Sequence, residues 1–145
     1  MKRTLFALVL TGLAATAMAA TDAPALPTTA APAGAKAYII SPADSATVGQ
    51  EVTVRFGLKG MGVAPAGVVK ENTGHHHLLV DVKELPAAGL PIPADAQHIH
   101  FGGGQTQTTL KLAPGTHTLQ LELGDANHVP FEPAVVSKKI TIHVK

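Results

Sequence analysis

Proline and glycine divide this chain into short segments, and this division limits its fold more than any other feature. The sequence contains 14 Gly and 11 Pro, and beyond the first twenty residues no window keeps a helical period. Between the breaks, apolar and polar residues alternate, most clearly over 51–59, where Val52, Val54 and Phe56 are the apolar members. A period of two is typical of a strand with one buried face. About seven such segments predict an all-β, immunoglobulin-like β-sandwich.

The first twenty residues have the pattern of a secretory signal peptide. Two basic residues precede an apolar stretch from Leu5 to Ala15, and Ala17-Met18-Ala19 supplies a small-x-small cleavage pattern. The apolar stretch is shorter than the ~20 residues that a membrane-spanning helix needs. We therefore predict cleavage after Ala19 or Ala20, which leaves no membrane span. The predicted location is the periplasm or the outside of the cell.

The remainder divides into a linker and one domain. Residues 20–35 are rich in alanine, proline and threonine and carry one charged residue. A segment of this composition has no face to bury and predicts a flexible tether. The predicted organisation is a signal peptide over 1–19, a tether over 20–35 and a β-sandwich domain over 36–145.

Composition excludes several classes of function. The 11 basic and 10 acidic residues nearly balance, and aromatic residues make up 3% of the chain, so we expect no nucleic-acid partner. The absence of cysteine excludes disulfides, thiolate metal sites and cysteine nucleophiles. No nucleophile elbow, zinc-protease helix or phosphate-binding loop is present, so we do not predict an enzyme.

The histidines carry the only chemistry that the sequence offers. Five of the eight fall in three phrases, and two of these phrases are His-x-His pairs beside glycine. Residues i and i+2 of a strand face the same way, so two such imidazoles can converge on one ion. We predict a metal site in which Asp125 lies behind the histidine ligands. The predicted site residues are His75, His77, His98, His100, His128 and Asp125.

The donor types narrow the choice of metal. Imidazole and oxygen donors, with Met61 the only methionine of the mature chain, suit copper as Cu(II), zinc or nickel, whereas Cu(I) prefers sulfur. The predicted function is an exported buffer or carrier of such a divalent metal ion. The alternative is a non-catalytic envelope module that binds another envelope protein and uses its histidines as a structural network. We expect His76 and His117 to be structural and His143 to lie on the surface.

Several longer phrases resemble a family of secreted bacterial proteins that share a domain of unknown function (DUF4399). The resemblance covers residues 37–145. Residues 41–48 and 112–119 are similar to segments of bacterial immunoglobulin-like domains. The resemblance implies an immunoglobulin-like fold and an exported location, and it implies no activity. The phrases that carry the family resemblance are residues 57–67, 72–78, 91–95, 98–106 and 123–130.

Overall fold

The protein is an all-β structure in a computed structural model that describes residues 24–145; the predicted signal peptide lies outside this range. None of the described residues is helical, so this part of the chain has no helix that could cross a membrane. The prediction of an all-β fold is confirmed. The described strands number nine rather than about seven, because two short segments, Ala46–Val48 and Gly62–Val63, also pair with neighbouring strands. The strands are β1 (Lys36–Ser41), β2 (Ala46–Val48), β3 (Glu51–Lys59), β4 (Gly62–Val63), β5 (Thr73–Val80), β6 (His98–His100), β7 (Gln107–Lys111), β8 (Gly115–Gly124) and β9 (Ile140–Val144).

The strands form two sheets with the core between them. The smaller sheet has the antiparallel order β1-β3-β7. The larger has the order β2-β9-β8-β5, and both β4 and β6 pair with the remaining edge of β5. Apolar side chains of β3, such as Val54 and Phe56, share one buried cluster with Leu119, Leu121 and Leu123 of β8. This arrangement is sandwich-like, and its immunoglobulin-like character stays a prediction.

Strand β5 is buried on both faces. His76 and Leu78 are on the side of the core, where the His76 ring lies 5.3 Å from that of Phe56. His75 and His77 alternate with them and are each only 1% exposed. Loops meet over this second face, since the backbone N–H of Ile92 donates to the His128 carbonyl at 2.8 Å. The histidines on this face are therefore enclosed rather than solvated.

The described part of the predicted tether is held against the domain. The N–H of Leu26 donates to the Gly89 carbonyl at 2.7 Å. Ala30 forms a parallel β-bridge with Glu132, in which the Glu132 N–H donates to the Thr29 carbonyl and the Ala31 N–H donates to the Glu132 carbonyl. Backbone hydrogen bonds need no particular side chain, so a composition typical of a flexible tether still permits this docking.

Candidate metal centre

Four histidines from three separate segments meet on the enclosed face of β5. They are His75 and His77 of β5, His100 of β6, and His128 of the loop after β8. One candidate ligand atom from each lies within 4.8 Å of all the others. Nitrogens that each lie ~2.0–2.1 Å from one ion are about 3–4 Å apart. The group is therefore slightly wider than a single metal ion requires.

Strand register brings three of these rings together. Glu122, His77 and His100 are directly opposite one another across β8, β5 and β6, and His75 is two residues before His77. Residues that face each other across a ladder point to the same side of the sheet. The His77 ring centroid lies 5.1 Å from that of His100 and 4.8 Å from that of His75. A backbone ladder thus fixes three of the four imidazoles.

A tight turn supplies the fourth imidazole. The carboxylate of Asp125 accepts hydrogen bonds from the backbone N–H groups of Asn127 at 2.8 Å and Val129 at 3.0 Å. The N–H of His128 donates to the Asp125 carbonyl, and His128 has a positive φ of 65°. This turn aims His128 at the other three rings, and its Nδ1 lies 3.1 Å from Nε2 of His75.

Two glycines make room for the imidazoles. A Cβ atom at Gly102 would overlap the ring of His100. A Cβ atom at Gly124 would lie 2.9 Å from Cε1 of His77 and 3.3 Å from Cα of His128. Both positions therefore favour glycine because the space that a side chain would occupy is filled by the histidine cluster.

Burial keeps the inner histidines uncharged at neutral pH. Loss of water contact, followed by the neighbouring imidazoles, lowers the pKa of His75 to about 4 and that of His77 to about 3. Burial and His128 also lower the pKa of His100. The Nδ1 atoms of His75 and His77 are buried and have no hydrogen-bond partner within residues 24–145. These are neutral imidazoles, the form that ligates a metal.

Two of the predicted site residues lie outside the group of four. His98 is opposite Leu79 in the ladder, two pairs beyond His77 and His100, and its Nδ1 lies 2.9 Å from a carboxylate oxygen of Asp95. Asp125 is buried, and its second oxygen accepts a hydrogen bond from the Thr29 hydroxyl at 2.7 Å. The His-x-His spacing indicates that both members of a pair share a face of the sheet. It does not show which histidine of β6 lies opposite His77 of β5.

Glu122 is opposite His77 on the same face of the sheet, and the sequence pattern does not reveal its burial. The alternation in β8 places it outward, yet its side chain is 1% exposed, and burial raises its pKa to about 7. Neither carboxyl oxygen has a hydrogen-bond partner in the part of the chain that the structure describes. It is the only charged residue between 115 and 124, which is the one signal that the sequence offers.

The other three histidines are placed as their neighbours in sequence suggest. His76 packs in the core, where burial lowers its pKa to about 4. His117 lies 2.7 Å from an Asp81 oxygen through Nδ1 and 2.9 Å from the Ala113 carbonyl through Nε2, and the Asp81 contact raises its pKa. His143 is exposed, and its Nδ1 lies 3.3 Å from the Thr116 hydroxyl. None of the three has a nitrogen in the four-histidine cluster.

The family model described as Domain of unknown function (DUF4399) matches residues 54–145. The match covers all four clustered histidines, and it confirms the family resemblance seen in the sequence. No curated protein and no solved structure matches the chain.

Proposed function

The chain belongs to the DUF4399 family, and we propose that it binds a divalent transition-metal ion through His75, His77, His100 and His128. The observation that carries this proposal is the convergence of four imidazoles from three segments within 4.8 Å. A buried polar group without a hydrogen bond costs roughly 1–3 kcal/mol. An ion held by His77 would give one nitrogen of that buried imidazole a partner, which supports a role for the cluster beyond packing.

The donor set favours copper as Cu(II), zinc or nickel. All four candidate ligand atoms are imidazole nitrogens, which suit these ions, and nitrogen sites in general bind Cu(II) most tightly of the divalent series. Cu(I) would prefer sulfur, but the chain has no cysteine, and Met61 packs against the core between the sheets.

We propose a buffer or carrier rather than an enzyme. His75 and His77 form the enclosed floor of the cluster, whereas His100 is exposed and His128 half-buried, so an ion can reach the site from solvent. With four protein ligands, the site resembles closed centres that hold a metal more than catalytic centres that keep a position open. An exported, periplasmic location is part of the proposal and rests on the N-terminal sequence pattern.

The second candidate is a structural histidine network in a non-catalytic envelope module. The 3.1 Å contact between Nε2 of His75 and Nδ1 of His128 favours it, because a hydrogen bond there would join β5 to the loop without an ion. In that case the protein's partner would be another envelope protein.

Calorimetry and thermal melting on the mature protein separate the two candidates. Chelator-treated protein is titrated with Cu(II), Zn(II) and Ni(II), beside His75→Ala, His100→Ala and the exposed control His143→Ala. Metal binding predicts at least ~10-fold weaker affinity in the first two variants and no change in the control. It also predicts a higher melting temperature with metal, because a ligand of the native state stabilises it. If chelator-treated and metal-loaded wild-type protein melt at the same temperature, the metal proposal fails and the structural histidine network is the remaining candidate.

A further inference from the structure

We propose that Thr29 is a positioning residue for the metal ligand His128 and acts through Asp125. The inference rests on the proposed function, since it treats His128 as a ligand. It makes the N-terminal segment from Leu26 to Ala31, here called the strap, part of the metal centre although no strap residue belongs to the cluster.

The four histidines are not held equally. His75, His77 and His100 belong to paired strands, whereas His128 is placed by the turn that begins at Asp125. A ligand on a loop must be ordered before it can bind, and any ordering left to the moment of binding lowers affinity. The contacts that fix this turn therefore preorganise the site and raise its affinity for a metal.

Asp125 is the residue around which the turn is organised. One carboxylate oxygen accepts the N–H groups of Asn127 and Val129, and these two residues flank His128. The carboxylate can serve both amides only if it keeps its orientation. Its second oxygen is bonded by the Thr29 hydroxyl at 2.7 Å, so the strap fixes that orientation from the opposite side.

The strap also holds the same loop at a second point. Thr29 and Ala31 exchange backbone hydrogen bonds with Glu132, four residues after His128. Thr29 therefore contacts the loop at two points, Asp125 through its side chain and Glu132 through its carbonyl. A hydrogen bond to a buried carboxylate is among the stronger kinds, and its loss would leave one Asp125 oxygen unpartnered.

The test compares three variants of the mature protein. Thr29→Val removes the hydroxyl with little change of shape, Thr29→Ser keeps the hydroxyl, and Thr28→Val is the control at the neighbouring exposed residue. The probe is Zn(II), measured by its dissociation constant and by its rate of release to a chelator. We expect Thr29→Val to bind about 5- to 10-fold more weakly, with most of the change in the release rate. Thr29→Ser and Thr28→Val should stay within about twofold of wild type.

A second measurement follows the turn without metal. In the metal-free protein, Thr29→Val should speed hydrogen exchange at the amides of Asn127 and Val129, while global unfolding in urea stays near that of wild type. Unchanged affinity together with unchanged exchange would overturn the proposal, as would a loss of affinity that Thr29→Ser shares. If wild-type protein binds no metal, the proposed function fails, and the exchange experiment still decides whether Thr29 positions His128.

Discussion

Nε2 of His75 and Nδ1 of His128 lie 3.1 Å apart, although 53 positions separate the two residues in the chain. Without a metal, one of these nitrogens carries a hydrogen and donates a hydrogen bond to the other. With a metal, both lone pairs would face the ion and the proton would leave that nitrogen. The contact is therefore compatible with both the metal-free and the metal-bound site. The two states differ in whether a proton lies between these two nitrogens.

The inner histidines should resist protonation. Burial lowers the pKa of His75 to about 4 and that of His77 to about 3, so both should stay neutral when the pH falls from 8 to 5. Imidazole NMR titration of the metal-free protein measures this directly. Titration of His75 or His77 near pH 6.5 would show that the enclosed face is open to water in solution.

Strand register should decide which histidines bind. His77→Ala should weaken metal binding by at least ~10-fold, whereas His98→Ala should change it by less than about twofold, because His98 is opposite Leu79 and contacts Asp95. Isothermal titration with Cu(II) or Zn(II) measures both. Equal losses in the two variants would mean that β6 shifts its register when the ion binds.

The glycines next to the histidine rings should be needed for metal binding, because a side chain there would displace the rings. Gly124→Ala places a methyl group 2.9 Å from His77, and Gly102→Ala places one against His100. Gly124→Ala should lose about 1–3 kcal/mol of unfolding free energy and bind metal more weakly, whereas Gly102→Ala displaces only the exposed ring of His100 and should mainly weaken metal binding. Gly49→Ala is the matched control, because its Cβ would meet no atom within 4 Å. Urea denaturation and metal titration of all three variants test this, and Gly124→Ala behaving like Gly49→Ala would contradict it.

Glu122 should make the metal-free protein less stable at neutral and alkaline pH than at acidic pH. Burial raises its folded-state pKa to about 7 from an ordinary value of 4.5. The folded state then holds a proton that the unfolded state has lost, so stability falls as pH rises from about 4.5 to 7 and is lowest above that. Glu122→Gln should remove this loss and gain about 2 kcal/mol more at pH 8 than at pH 5.

Urea denaturation with chelator at the two pH values measures the effect of Glu122→Gln. The exposed Glu51→Gln serves as the control. A gain that is the same at pH 5 and pH 8 would mean that Glu122 is not the source of the pH dependence.

His76 should make the protein less stable at acidic pH, which is the opposite of the effect of Glu122. Its pKa is lowered to about 4 by burial, so the folded state resists a proton that the unfolded state accepts near pH 6.5. Stability should therefore fall as pH drops from about 6.5 towards 4. His76→Leu keeps an apolar volume against Phe56 and should reduce this acid loss, whereas the exposed His143→Leu should not. Urea midpoints measured at pH 7 and pH 5 give the comparison.

The sequence predicts the features that depend on local alternation of residues, but not those that depend on long-range strand pairing. The alternation over 51–59 predicts β3, because that strand buries one face and its period is visible. The spacing of His75 and His77 predicts their shared face for the same reason. The exclusion of His98 depends on which residue of β6 pairs with His77, and the burial of Glu122 depends on how the chain packs around β8. The exclusion of His98 leaves no mark in its neighbouring residues, and the burial of Glu122 leaves only its isolation as the one charged residue between 115 and 124.

The span of the histidine cluster along the chain has a topological consequence. An ion held by His75 and His128 would tie together residues 53 positions apart in a chain that contains no cysteine. Because the site would not persist in the unfolded chain, the ion would stabilise the fold through its affinity for the native state and its concentration. Unlike a disulfide, this tie could be undone by a chelator or by acid without any reducing agent. The metal would then be a removable cross-link, and the protein's resistance to unfolding would follow the supply of the ion.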